Sequence, residues 1–264
     1  MHLPRSSALA DLTVLESAPS TNDELLARAV DAPDFTTVVT CNQTAGRGRL
    51  GREWVAPPGQ TLAASLLLRP RLPAGESLEA THWGWIPLIA GAAMTRSVAA
   101  LLPSDTARLK WPNDVLVRGR KVSGILAELP PVGDALVVGA GVNLTIPPGE
   151  LPTPTSTSLV IEGATLRGDE LVDAVLAGWL AEFGAIYRTF LRLGGDAEGS
   201  GVRELVTETC STLGQRVRVH LPGGDHLTGA AIDVDRSGRL CVTREPDGRV
   251  VTVAAGDVTH LRYE

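Results

Sequence analysis

Apolar residues recur along the chain with two different spacings, and these predict helices and strands in turn. Residues 20–30 (STNDELLARAV) predict a helix with Ser20 as its N-cap, because a hydroxyl at that place accepts a hydrogen bond from a free backbone N–H. The runs 35–41 and 61–68 are rich in β-branched and apolar residues and predict strands. Residues 83–102 predict a buried helix, since a proline and an arginine interrupt a run that would otherwise suit a membrane span.

Between residues 107 and 144, short strand-like pieces alternate with turns and leave no room for a crossover helix. Parallel neighbours need a connection of about a dozen residues or more, so these strands are predicted to be antiparallel. After them, residues 168–193 predict a long amphipathic helix with its apolar residues on one face, and residues 202–210 predict a short helix.

From about residue 213 the spacing changes again, to the alternation of a half-buried strand. Turns are predicted at Gly223-Gly224, Ser237-Gly238 and Asp247-Gly248, which divide the segment into strands of similar length. This pattern predicts a small five-strand β-barrel of about 50 residues. We therefore expect an α+β fold with two domains, residues 1–211 and residues 212–264.

Composition narrows the class of protein. The net charge of −6 argues against a surface that binds nucleic acid everywhere, although it leaves room for a local basic loop. Three cysteines without C-x-x-C spacing and five scattered histidines predict reduced thiols and no structural metal site. The N-terminus lacks the apolar run of a signal peptide, so we expect a cytoplasmic protein without membrane association.

The stretch AGRGRLG, residues 45–51, has the G-x-G-x-x-G spacing of a dinucleotide-binding turn. That turn must open a helix, whereas Pro57-Pro58-Gly59 would stop one within two turns, and the sheet that follows is predicted to be antiparallel. Two interpretations remain open from the residues alone. The stretch is either a solvated turn or a loop in which glycines allow close approach and Arg47, Arg49 and Arg52 bind an anion.

Three later stretches carry further candidate chemistry. KWPND (110–114) contains Lys110, one of only two lysines in the chain, and is either an Asx-capped hairpin turn or a site where Asp114 holds Mg²⁺ or orients a cation. Glycine interrupts the predicted strands at Gly124 and again at Gly141. A glycine within a strand indicates that something lies close against the backbone, so two of them predict a flat slot for a ligand.

These motifs together resemble one family. STN (20–22), NQTAGRGRLGREW (42–54), KWPND, RKVSGILAEL (120–129) and GAGVNL (139–144) follow one another in the order and spacing of the biotin protein ligases, the biotin–[acetyl-CoA carboxylase] ligases. The resemblance implies a fold related to class II aminoacyl-tRNA synthetases, with a mixed, largely antiparallel sheet and flanking helices. It also implies that the C-terminal segment is an SH3-like small β-barrel.

The resemblance further implies an activity. Members join biotin to ATP as biotinyl-5′-AMP, with Mg²⁺, and transfer the biotinyl group to one lysine of the biotin carboxyl carrier domain of an acyl-CoA carboxylase. By this likeness the loop around Arg47 folds over the adenylate and shields it from water.

The likeness also implies roles for individual residues. The catalytic cations are Lys121, Arg47 and Arg49. The residues expected at biotin are Ser20, Thr21, Asn22, Gln43, Arg47, Gly48, Arg49, Lys121, Gly124 and Gly141. Those expected at ATP or the adenylate are Arg47, Arg49, Arg52, Trp54, Lys110, Asn113, Asp114 and Asn143, with Asp114 as the Mg²⁺ ligand. For Ser20 the helix-cap role stays open beside the biotin contact.

Other functions are weighed against this one. A lipoate or octanoyl ligase of the same fold is the nearest alternative, and the GRGR loop with KWPND favours biotin. A single-strand nucleic-acid binder would need stacking aromatic residues, but these make up 4% of the chain. Only about twenty residues precede STN, too few for a helix-turn-helix domain. We therefore expect a ligase without specific DNA binding, and leave a homodimer open.

Overall fold

The computed structural model describes residues 1–55, 57–104, 106–131, 134–221, 225–245, 247–254 and 257–260. Its larger sheet has seven strands in the order β1-β2-β3-β7-β6-β5-β4. In chain order these are β1 (Leu12–Val14), β2 (Thr37–Thr40), β3 (Thr61–Leu68), β4 (Ala107–Lys110), β5 (Asp114–Val117), β6 (Arg120–Glu128) and β7 (Leu136–Asn143). The β1–β2 pair is parallel and every other pair is antiparallel, which confirms a mixed, largely antiparallel sheet.

Helices cover both faces of this sheet. They are α1 (Pro4–Ser7), α2 (Thr21–Arg28), α3 (Trp85–Ala99), α4 (Gly168–Arg192) and α5 (Val202–Thr209). The helices α3 and α4 pack against each other and cover one face, where they share the main apolar core with the sheet. Helix α2 packs against β2, β3 and β7 around a smaller apolar cluster that includes Leu25 and Leu67. No helix in the described ranges is both long and apolar enough to cross a membrane.

A second, five-stranded antiparallel sheet follows, in the order β11-β10-β9-β8-β12. Its strands are β8 (Arg216–His220), β9 (His226–Val234), β10 (Leu240–Arg244), β11 (Val250–Val253) and β12 (Asp257–His260). The predicted number of strands is confirmed, and so are the turns at Ser237-Gly238 and Asp247-Gly248. The Gly223-Gly224 turn lies outside the described residues.

Two tryptophans from the part of the chain that forms the larger sheet and its helices hydrogen-bond to the second sheet. Trp85 Nε1 donates to the carbonyl of Arg236 at 2.8 Å, and Trp111 Nε1 donates to the carbonyl of Gly238 at 3.1 Å. Both indoles are buried, so each hydrogen bond satisfies a donor that would otherwise be lost to water. The turn at residues 236–238 is therefore fixed against the start of α3 and the KWPND hairpin.

Candidate active site

A cleft of about 700 Å³ opens over the centre of the larger sheet, and each of the sixteen residues expected at biotin or ATP lies along its wall. Strand register explains why residues so far apart in sequence meet there. Ala63 pairs with Gly141, Gly141 with Gly124, Gly124 with Asp114, and Asp114 with Lys110. Directly paired residues share a face of a sheet, so this row crosses the floor of the cleft.

The two glycines of that row form the predicted slot, and the indole of Trp54 lies in it. A Cβ placed on Gly141 would come within 2.4 Å of Trp54 Cε2, and one on Gly124 within 3.3 Å of Trp54 Cζ3. Lys121 Nζ lies 5.6 Å from the centroid of the same ring, in cation–π range. Trp54 Nε1 is buried and finds no hydrogen-bond partner among the described residues. It is therefore available to a bound molecule.

Lys121 reaches the cleft because of a β-bulge. Simple alternation along β6 would place it on the face opposite Gly124. The register between β5 and β6 shifts after Val115 and Ser123, so that Leu116 pairs with Lys121 and Val122 is the extra residue. Such a bulge turns the following side chain to the other face. Lys121 Nζ consequently lies 2.6 Å from Asp114 Oδ1.

One end of the cleft is built on the first turn of α2. Ser20 caps the helix, since its Oγ accepts from the backbone N–H of Asp23 at 3.4 Å. The Thr21 backbone N–H donates to Gln43 Oε1 at 3.0 Å, which leaves the amide nitrogen of Gln43 toward Gly46. The cap role of Ser20 is thus confirmed, while its hydroxyl proton stays free to donate elsewhere.

In Asn22, by contrast, both polar side-chain atoms already form hydrogen bonds within the protein. Its Oδ1 lies 2.6 Å from Ser65 Oγ, and its Nδ2 donates to Glu128 Oε2 at 2.7 Å and to the Leu126 carbonyl at 3.3 Å. Asn22 therefore ties α2 to β3 and β6, and a Cβ on Gly139 would lie 2.2 Å from its Oδ1.

The glycine–arginine loop does not open an α-helix. Residues Arg49–Gly51 form one 3-10 turn in which Leu50 and Gly51 have positive φ, and Arg52 is again extended. This confirms that the stretch is not a dinucleotide-binding turn. Arg49 Nη1 donates to Asn113 Oδ1 at 3.2 Å, so the loop leans on the KWPND hairpin.

Asn113 in turn anchors that hairpin to β6, because its Nδ2 donates to the Ile125 carbonyl at 3.0 Å. Asp114 Oδ1 is buried, and its contact with Lys121 is an ion pair without hydrogen-bond alignment. Within the described ranges no three His, Cys, Asp or Glu side chains cluster.

The opposite wall is a Ser/Thr-rich segment at residues 153–158, which residue types did not predict as part of a site. It runs beside β6, where the Lys121 N–H donates to the Thr155 carbonyl and the Thr157 N–H donates to the Lys121 carbonyl, both at 2.8 Å. Asn143 Nδ2 donates to the Thr157 carbonyl at 2.9 Å, while the buried Asn143 Oδ1 finds no partner in the described structure. The composition of this segment is that of a loop, so nothing in it marked a site.

Two further features of this side of the cleft were also missed. Glu162, with a fully buried side chain, accepts from Thr157 Oγ1 at 2.6 Å and from Arg120 Nη2 at 2.5 Å, and so holds the segment down. His220 and Val258 line the cleft from the second sheet. Their alternation marked them only as strand residues.

The chain is similar to known proteins along most of its length. Residues 14–143 match the model described as the biotin/lipoate A/B protein ligase family, and residues 212–261 match the biotin protein ligase C terminal domain. A relative named biotin–[acetyl-CoA-carboxylase] ligase from Mycobacterium tuberculosis is 39% identical, over 97% of this chain and 91% of its own. One of that name from Paracoccus denitrificans is 34% identical, over 92% and 98% respectively.

A solved structure adds to this likeness. The biotin protein ligase from Aquifex aeolicus in complex with biotin and ATP superposes with a TM-score of 0.73 at 26% identity, covering 96% of this chain and 99% of that one.

Proposed function

The chain belongs to the biotin protein ligase family, and we propose that it activates biotin with ATP as biotinyl-5′-AMP. It then transfers the biotinyl group to one lysine of a biotin carboxyl carrier domain of an acyl-CoA carboxylase. The observation that carries this proposal is the meeting of Arg47, Arg49 and Lys121 at one cleft, over a floor of paired glycines on which the Trp54 indole packs.

In the first step a carboxylate oxygen of biotin attacks the α-phosphorus of ATP, the new O–P bond forms, and pyrophosphate leaves. Two anions repel each other, so cations fixed where charge accumulates lower the barrier. We propose that Arg47, Arg49 and Lys121 are these cations. Asp114, 2.6 Å from Lys121 Nζ, holds the ammonium group over the glycine slot.

The biotin end is proposed to lie at Ser20, Thr21, Asn22 and Gln43, where hydroxyl and amide groups suit a ureido ring that both donates and accepts hydrogen bonds. Since the Asn22 side chain is already bonded to protein groups, its proposed role is to hold this wall in place. Biotin is also proposed to lie by Gly48, Gly124 and Gly141, and at the last two the missing Cβ makes room for the Trp54 indole.

The nucleotide is proposed to lie toward Arg52, Trp54, Lys110, Asn113, Asp114 and Asn143. The buried Trp54 Nε1 and Asn143 Oδ1 lack partners in the described structure and offer one donor and one acceptor. Mg²⁺ commonly binds through one or two carboxylates together with substrate phosphates. Asp114 supplies one such carboxylate at the cleft, with its Oδ1 in the ion pair with Lys121, and the ion would neutralise phosphate charge.

In the second step the amine of the carrier lysine attacks the acyl carbon. The C–N bond forms, the bond from the acyl carbon to the phosphate oxygen breaks, and AMP leaves with that oxygen. Lys121 is proposed to stabilise the negative oxygen of the tetrahedral centre. The loop that carries Arg47 and Arg49 keeps water from the mixed anhydride until the carrier arrives.

We also propose the division into residues 1–211 and 212–264, and a cytoplasmic location, which the three free cysteines support. That the protein binds no specific DNA remains a prediction, and footprinting of an operator would contradict it. Sedimentation would measure whether the protein is a monomer or a homodimer in solution.

The test is to incubate the protein with ATP, Mg²⁺ and a carrier domain, with either biotin or lipoate, and to weigh the carrier. A gain of one biotinyl group is expected, and a gain with lipoate alone would favour the alternative ligase. Lys121→Ala should abolish labelling without unfolding the chain. Arg96→Ala, which removes an exposed cation paired with Glu182 far from the cleft, serves as the matched control.

A further inference from the structure

The guanidinium of Arg47 lies between two carboxylates that belong to neither proposed substrate. Its Nη2 is 2.5 Å from Asp23 Oδ1 and 3.0 Å from Glu128 Oε2. The three side chains come together from positions 24 and 81 residues apart in the chain. The family resemblance gave neither carboxylate a role.

Both contacts use the same nitrogen. Among the described residues Nη1 and Nε of Arg47 make no hydrogen bond. Their N–H groups remain as separate charge-assisted donors to a carboxylate or phosphate. The cleft lies beside Arg47, so these donors are available to an anion bound there.

The two carboxylates are themselves fixed. Glu128 Oε2 also accepts from Asn22 Nδ2 at 2.7 Å, and Asn22 is held by the buried Ser65. Asp23 stands in the first turn of α2, whose start is capped by Ser20. A negative charge in a first helical turn is favoured there by the helix dipole. The pair therefore locates the guanidinium relative to both the helix and the sheet.

We propose that Asp23 and Glu128 are positioning residues for the adenylation step, which hold Arg47 so that its Nη1 and Nε groups meet the carboxylate of bound biotin and the α-phosphate. The inference rests on the proposed function. A carboxylate that instead competed with an anionic substrate for the arginine would weaken substrate binding, so the direction of the change in KM distinguishes positioning from competition.

Three variants make that test. Asp23→Asn and Glu128→Gln each remove one charge, and a glutamine at 128 still offers an oxygen to Asn22 Nδ2. Glu24→Gln is the matched control, since it removes the neighbouring charge in the same helical turn. Glu24 pairs with Arg28 on the outer surface. Biotin-dependent exchange of pyrophosphate into ATP measures adenylation alone, without a carrier.

We expect Asp23→Asn and Glu128→Gln each to raise the KM for biotin by about two- to fivefold, the range for a partly exposed ion pair. The kcat of exchange stays within about twofold and Glu24→Gln matches the parent. A KM that falls in Asp23→Asn would overturn the proposal, because the carboxylates would then be competitors.

A double-mutant cycle excludes a merely structural role. In an Arg47→Gln background, Asp23→Asn should have no further effect on the KM, because the group it positions is gone. Equal effects in both backgrounds would overturn the proposal. A parent that forms no biotinyl-adenylate overturns the proposed function and this inference together, whereas an active parent with variants like Glu24→Gln overturns this inference alone.

Discussion

Replacement of Gly141 by alanine should force Trp54 out of the glycine slot. The added methyl would lie 2.4 Å from Trp54 Cε2 and 2.8 Å from its Nε1. Carbon atoms pack best at about 3.5–4.0 Å, so the indole must retreat by more than about 1 Å. Gly141 does not have a positive φ, and the cost is therefore steric rather than conformational.

The size of the effect follows from crowding in a packed site. One extra methyl in such a site costs about 1–3 kcal/mol. In a chain of this length each kcal/mol lowers the melting temperature by about 2–4 °C, so we expect a fall of about 2–12 °C. The displaced ring also loses its contact with Lys121, and the KM for biotin should rise because the floor of the cleft is no longer flat.

Calorimetry and pyrophosphate exchange are the two assays, with Gly149→Ala as control. A methyl at Gly149 meets nothing within 4 Å, so that variant should be as stable and as active as the parent. In a Trp54→Ala background, Gly141→Ala should cost no more than about 0.5 kcal/mol, since nothing is left to collide with. A full cost in that background would refute the assignment of the strain to Trp54.

Three other outcomes follow from buried polar groups. Glu162→Ala removes the charged hydrogen bonds with Thr157 and Arg120, and should lower the free energy of unfolding in urea by about 2 kcal/mol and weaken carrier labelling; unchanged values in both assays would contradict this. Burial, and then the charge of Asp169, raises the pKa of the Cys41 thiol to about 11, so iodoacetamide at pH 8 should spare it in the folded chain and label it after denaturation, as mass spectrometry would detect. Burial alone would raise the pKa of Asp173, but hydrogen bonds from Ser6 and the Arg5 amide outweigh it and hold that pKa below its usual value. Its stabilisation is therefore present above the unfolded-state pKa and lost as the pH falls through the folded-state pKa. The protection factors of the α1 amides against exchange should accordingly fall in acid for the parent but stay constant with pH in Asp173→Asn.

Patterns of apolar residues predicted the elements well where burial decides them. Residues 61–68 are predicted to be a strand and form β3 with those bounds, and all eight are buried. Helix α3 is shorter than the predicted span 83–102 by two residues at the start and three at the end, where the chain continues as turns. Apolar residues there pack against the core without being helical.

The spacing of residues in the sequence could not predict the side-chain contacts within the cleft. The glycine gaps predicted a slot but not that Trp54 lies in it, because a loop residue has no fixed register with a strand. Likewise, nothing in a chain with 30 acidic residues singles out Asp23 and Glu128 as the partners of Arg47. Pairings of this kind follow only from the relative placement of α2, the loop and β6.

The bulge at Val122 explains why strand alternation and the family likeness gave different expectations for Lys121. Family likeness placed both Gly124 and Lys121 at biotin, yet residues three apart in a regular strand face opposite ways. Because Val122 is inserted without a partner in β5, it stays fully buried while Lys121 turns to the face of Gly124. A strand without this bulge would bury the ammonium group and leave Asp114 without its cation. The active geometry therefore depends on a backbone irregularity, and residue types alone could not have predicted it.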